Sequence, residues 1–213
     1  QNGINWLNVG IFDMTYTYIG NNINYLATGS VGAIESSSNL TTWNDVDSPA
    51  TTALNAIKCF NSNNCYAVGN NGQLLFSSDG GGAIWTVQNS GTTNTLQSVA
   101  CGYSNCVVVG NNGTILTKAN NSSTWVTETS GTTQNLNHVI FYNAYNIYVV
   151  VGNNGVILVS YDGINWISVP SGTTNNLNCV ECAYSYVGCI AAGASGTVVK
   201  SQSGYAWTLG TTA

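Results

Sequence analysis

The cysteines carry the most legible chemistry of this 213-residue chain. Six of its seven cysteines fall into three pairs: Cys59 with Cys65, Cys101 with Cys106, and Cys182 with Cys189. In each pair the first cysteine lies five residues after a leucine, and the second lies four before a glycine. That spacing sets two thiols across a short β-hairpin, where facing Cα atoms come within disulfide reach. Three within-hairpin disulfides and an oxidising, extracellular setting are expected. A fourth stretch, from Leu136, holds Phe141 and Tyr148 at the same two places, a packing pair instead. Cys179 is left over. It pairs with Cys182 as a CxxC, but Cys182 is claimed by its repeat position, and the other stretches place Ala56, Ser98 and His138 in its register. It is read as a free thiol.

Other groups offer less. Four Asn-x-Ser/Thr sequons, at Asn39, Asn112, Asn120 and Asn121, mark glycosylation sites in turn-rich segments. A Ser-His-Asp arrangement would have to use His138, the only histidine. The eight acids form no recurring cluster, and no His/Cys spacing suits a metal. The expectation is a protein that is not an enzyme and takes no cofactor or metal. Four aromatics recur at one turn: Phe60, Tyr103, Tyr142 and Tyr184. With asparagines nearby they are candidate sugar-stacking platforms, and core packing is the competing reading.

Composition narrows the partners. Only 5% of residues are charged, there is no arginine, and the net charge is −5. Phosphate recognition needs clustered Lys and Arg, so nucleic acid is excluded, and an anionic membrane surface is disfavoured on the same ground. No apolar run is long enough to span a bilayer, and no basic n-region precedes an apolar core. The chain begins with Gln, which reads as a processed, secreted form. Asn, Ser, Thr and Gly make the surface polar without charge, a composition suited to contact with sugars.

These residues are positioned by a repeat. Trp6, Trp43, Trp85, Trp125, Trp166 and Trp207 are separated by 37, 42, 40, 41 and 41 residues. The second glycines of the Gly-x-x-Gly turns, Gly32, Gly72, Gly113, Gly155 and Gly196, keep the same period. Each unit reads as four short strands, A to D, rich in Val, Ile, Tyr, Thr and Trp and parted by Asn-Asn-Gly or Ser-Asp-Gly turns. Gly and Asn tolerate the positive φ that a tight B–C hairpin needs. A tandem four-stranded unit of about forty residues predicts an all-β, five-bladed β-propeller of antiparallel blades, without helices. It forms one domain over 1–213, with units near 10–47, 48–89, 90–129, 130–170 and 171–213.

Ser77-Ser78-Asp79-Gly80-Gly81 before Trp85, and Ser160-Tyr161-Asp162-Gly163 before Trp166, resemble Asp-box (BNR) motifs. Asn2 to Trp6 echoes them, while Ser38 to Trp43, Asn120 to Trp125 and Ser203 to Trp207 lack the Asp. The resemblance to that propeller family, which includes sialidases, some lectins and the photosystem II assembly factor group, implies peripheral structural turns with the Trp packed between blades. It implies no sialidase activity, because that chemistry uses an arginine cluster absent here. The Arg-rich partner surface of the assembly-factor group is likewise missing.

The strand count leaves one over. Five A–B–C sets accompany six D-type strands, since residues 4–9 and 205–210 each supply one. A surplus apolar strand near an open edge invites pairing with another chain. Ile4, Trp6, Leu7 and Val9 at one end, and Trp207 and Leu209 at the other, are therefore candidate assembly strands. A secreted structural or adhesive subunit that assembles with itself head to tail is the leading expectation. A lectin with repeated sites on one face is the alternative, with glycans as ligands.

Overall fold

Each repeat folds as one antiparallel meander. The computed structural model describes residues 11–19, 22–80, 84–183 and 188–210. The first sheet is β1 (Ile11–Ile19), β2 (Asn22–Gly29), β3 (Ile34–Ser37) and β4 (Asn44–Val46). The second is β5 (Leu54–Cys59), β6 (Cys65–Gly69), β7 (Leu74–Ser77) and β8 (Thr86–Val87). The third is β9 (Leu96–Cys101), β10 (Asn105–Gly110), β11 (Ile115–Ala119) and β12 (Val126–Glu128). The fourth is β13 (Leu136–Tyr142), β14 (Ile147–Gly152), β15 (Ile157–Ser160) and β16 (Ile167–Ser168). The fifth is β17 (Leu177–Cys182), β18 (Cys189–Gly193), β19 (Val198–Ser201) and β20 (Trp207–Leu209). In all five the strands are hydrogen-bonded in sequence order, as expected for A–B–C–D blades.

The B–C turn explains its sequence. Each contains a three-residue 3₁₀ turn, and among the described residues there is no α-helix. Its second residue is left-handed: Asn71, Asn112, Asn154 and Ser195 have φ of 54° to 56°. Asparagine is among the few non-glycine residues that enter that region at low cost. The following glycine is also left-handed, and at Gly72, Gly113 and Gly155 a Cβ would run into the carbonyl of Thr92, Thr132 or Thr173. In the first blade Val31 stands at the asparagine place with φ 53°.

The chain forms two compact units, Gln1–Leu96 and Gln97–Ala213. In the first, Leu26 and Ile34 of one blade meet Leu54, Ile57, Ala67 and Leu75 of the next. In the second, Val107, Val109 and Ile115 meet Val139, Tyr148, Val150 and Leu158. Val149, Val151, Ile157 and Val159 in turn meet Val180, Ala191, Val199 and Trp207. Within each unit, strand alternation thus gives a blade a forward face, toward the next blade in sequence, and a rear face. Each fully buried Val or Leu there contributes roughly 1.5–3 kcal/mol, so the cores lie between blades.

The fifth blade takes its fourth strand from the C-terminal side, β20. Trp207 is buried within it and Leu209 is exposed, so this pair serves its own blade. The other D-type sequence, with Ile4, Trp6, Leu7 and Val9, lies outside the described residues.

Candidate functional site

Three disulfides close the A–B hairpins of the second, third and fifth blades: Cys59–Cys65, Cys101–Cys106 and Cys182–Cys189, each with Cα atoms 4.0 Å apart. In the fourth blade Phe141 pairs with Tyr148 in the same register, ring centroids 4.9 Å apart. Cys179 is a free, exposed thiol.

The C–D turns are built as side-chain-locked loops. Ser160 Oγ donates to Asp162 Oδ1 at 3.0 Å and accepts from the Gly163 N–H at 2.8 Å. Asp162 Oδ1 also accepts from the N–H groups of Ile164 and Asn165, and the Trp166 indole N–H donates to Gly163 O. Burial works against the charge on Asp162. Hydrogen bonds from Asn165, Ile164 and Ser160 outweigh it and hold the carboxyl down at about 2. In the first blade Asn39 takes over the aspartate's part: its Oδ1 accepts from Thr41 and Thr42 N–H, both at 2.9 Å. Leu40 occupies the left-handed glycine place there, with φ 63°. The turn therefore survives where its aspartate and glycine are both replaced.

All four sequon asparagines, Asn39, Asn112, Asn120 and Asn121, are exposed. The aromatic quartet does not share one environment. Tyr142 is buried, and Phe60 is half-buried and stacks on Tyr66 at 5.8 Å. Tyr103 is 72% exposed, edge-on to Phe141. Tyr184 lies outside the described residues.

Three side chains of the first strands link successive blades. Asp13 Oδ2 accepts from the Ile57 N–H at 2.9 Å, Ser98 Oγ from Val139 N–H at 3.3 Å, and His138 Nδ1 from Val180 N–H at 3.4 Å. Asp13 pairs with Thr28 and His138 with Val151, each just past the register shift that follows the first A–B pair, and Ser98 holds the same place in its repeat. Three residue types thus play the same part, accepting an N–H from the next blade's first strand. Burial pushes the Asp13 carboxyl up, opposed by the Ile57 and Met14 N–H groups and by Lys58. Aligning the repeats column by column would have exposed this series. Reading His138 alone could not.

A second link runs beside it. Asn55 Nδ2 donates to Leu96 O at 2.9 Å, and Asn137 Nδ2 to Leu177 O at 2.8 Å. In the fifth blade the same two positions are Asn178 and Cys179, and both are exposed.

The forward face of that blade carries exposed apolar side chains. Ile190 is 59% and Val198 39% exposed, whereas their counterparts Val149 and Ile157 are fully buried. A hollow of about 610 Å³ lies on this face, lined by Glu181, Ile190, Lys200, Ala206 and Thr208 among others.

No known protein family and no curated protein matches the sequence. Solved structures do. The chain is similar to YCF48 bound to D1 peptide, at 16% identity and a TM-score of 0.69, covering 97% of this chain and 68% of that one. It is similar to YCF48 from Cyanidioschyzon merolae, at 13% identity and a TM-score of 0.58, covering 95% and 85%. It is also similar to U3-55K, at 8% identity and a TM-score of 0.71, covering 91% of this chain and 61% of that one. At these identities the likeness speaks to fold, and the fold is a β-propeller of five four-stranded antiparallel blades.

Proposed function

We propose that this protein is a non-enzymatic, secreted propeller that holds protein partners, copies of itself first among them, in a head-to-tail filament. The observation that carries the reading is the exposed forward face of the fifth blade, with Ile190 and Val198 open where the fourth blade buries Val149 and Ile157. An exposed apolar surface of that kind marks an interaction site. A heterologous contact that does not close produces a filament. The likeness to a propeller with a bound peptide supports protein as the partner class.

The remaining features agree. Three disulfides suit an oxidising, extracellular compartment. Exposed sequons suit a glycoprotein, and the Ser160–Asp162 turn suits affiliation with Asp-box (BNR-like) repeats. His138, Asp13 and Asp162 are committed to blade docking and turns, which favours a binding role over catalysis. Every blade already has its fourth strand. Residues 4–9 are therefore the segment we assign to strand addition on a neighbour.

Negative-stain microscopy of native material tests the reading. Linear particles are expected, and monomers alone would refute it. A variant lacking residues 1–9 that still polymerises would remove strand addition while leaving assembly in place. Exposed Tyr103 favours a second reading, a sugar-binding lectin, which a glycan array without hits would eliminate.

A further inference from the structure

Asn39 and Asn121 stand at one place of the repeat, four residues before Trp43 and Trp125, as Asp162 stands before Trp166. Both open a sequon. Their amides have opposite fates. Asn39 is locked into its turn: Oδ1 accepts from the Thr41 and Thr42 N–H groups, and Nδ2 donates to Thr42 Oγ1 at 3.0 Å. Thr42 Oγ1 also donates to Oδ1 at 3.1 Å, so it sits against the amide edge between the oxygen and the nitrogen. N-glycosylation places the sugar carbon on that same edge, because a substituted amide is planar and keeps its heavy substituents trans. A sugar at Asn39 would take the place of the Thr42 hydroxyl and undo the lock.

In the first blade Ser37 supports the turn, its Oγ accepting from the Leu40 N–H at 2.8 Å. The third blade has Ala119 at that place, which offers no hydroxyl. Other groups of the same blade tie its turn down. The Asn120 N–H donates to Ser104 O at 2.9 Å, Asn120 Nδ2 to Tyr103 O at 2.8 Å, and Ser122 Oγ accepts from the Thr124 N–H at 3.1 Å. Asn121 and Ser123, the first and third residues of the Asn121 sequon, are exposed, and their side chains make no hydrogen bond among the described residues. The other two sequons are partly spent. The Asn120 amide and the Ser122 hydroxyl go to the bonds just given. At Asn112 the third residue is Thr114, whose hydroxyl is buried and donates to Asn111 O at 2.6 Å. A hydroxyl at the third residue is what makes a sequon, and there it is not presented.

We propose that, of the four sequons, Asn121 carries the N-linked oligosaccharide and the other three stay bare. In the transfer, Asn121 Nδ2 bonds to the anomeric carbon of a lipid-phosphate-linked oligosaccharide. The bond from that carbon to the phosphate oxygen breaks, the lipid phosphate leaves with the electron pair, and the amide proton passes to a base of the transferring enzyme. The glycan then leaves every hydrogen bond of the turn in place. This assignment rests on the reading of the chain as a secreted glycoprotein and names its site.

Glycopeptide mass spectrometry of the full chain, secreted from eukaryotic cells, tests it. Glycan mass is expected on Asn121 in most copies and on no other asparagine. Ser123→Ala destroys only the Asn121 sequon, and should remove the glycan without moving the melting temperature. Ser122→Ala destroys only the Asn120 sequon, and should leave the glycan in place. Asn39→Asp removes that sequon but keeps the acceptor its turn needs, and should change neither glycan mass nor fold. Glycan on Asn39, Asn112 or Asn120, or glycan that survives Ser123→Ala, overturns the assignment and leaves the glycoprotein reading standing. A secreted chain bare at all four sequons overturns both.

Discussion

Phe141 faces Tyr148 across the A–B hairpin of the fourth blade, in the register that holds a disulfide in the second and fifth. The two solutions differ in what they stabilise. A hairpin disulfide closing a loop of five to seven residues restrains the unfolded chain by about 2 kcal/mol. A buried aromatic reduced to a small side chain costs about 3–5 kcal/mol. Phe141→Cys with Tyr148→Cys should therefore form a fourth disulfide and still melt lower than the wild type. Thiol titration reads the first outcome and calorimetry the second. A double variant that melts higher would show that the aromatic pair contributes less than its burial implies.

Val31 is the one β-branched residue among the five left-handed turn positions, and it is 83% exposed. Its side chain has little packing to lose. Left-handed backbone costs a residue of this type about 1–2 kcal/mol relative to one that tolerates it. Val31→Asn should raise stability by about 1 kcal/mol in urea denaturation, and Val31→Ile should not. An unchanged midpoint for the asparagine variant would mean that the turn's strain is already relieved elsewhere.

The repeat is readable because Leu, Gly and Cys recur at fixed spacing and because hairpin turns and strands impose those types. The four strands per unit, three disulfides and the Phe141–Tyr148 pair follow from that spacing. The faces are harder. Period-two alternation says that Lys200 and Val199 point opposite ways, but not which side meets a neighbouring blade. Tyr142 lies six residues after its unit's Leu136 and Tyr103 seven after Leu96, so the recurring aromatics at this turn fall in different registers, and Tyr142 is buried where Tyr103 is exposed. The first blade's C–D turn lacks the Asp in its sequence, although Asn39 accepts the same hydrogen bonds as Asp162. The acceptor series Asp13, Ser98 and His138 shares no residue type, only an atom able to accept an N–H, so no motif marks it.

Asp13 and Asp162 should give opposite pH dependences. Burial raises Asp13 above its ordinary value, so its stabilising contribution is present below that value and is lost as pH rises through the folded one. Asp162 is held down at about 2, so its contribution is present above the ordinary value and is lost as pH falls toward about 2. Asp13→Asn should gain on the wild type as pH rises from acid to neutral, while its carbonyl still accepts from Ile57. Asp162→Asn should lose on the wild type at neutral pH and converge with it near about pH 2. Stability curves from about pH 2 to 7 for both variants read the two slopes. Slopes of the same sign would contradict the burial and hydrogen-bond pattern described.

Tyr148 ties the fourth blade to the third through one hydroxyl. It accepts from the Gly102 N–H at 3.0 Å and donates to the Asn105 carbonyl at 2.5 Å. Burial pushes the phenol up to about 12, so it stays a neutral donor throughout the physiological range. Tyr148→Phe keeps the ring against Phe141 and Trp166 and removes only the oxygen. Gly102 N–H retains the Asn105 carbonyl at 2.9 Å, so the loss falls mainly on the acceptor side. A cost of about 1–2 kcal/mol is expected, independent of pH between about 5 and 9. A variant as stable as the wild type would mean that ring packing alone joins these two blades.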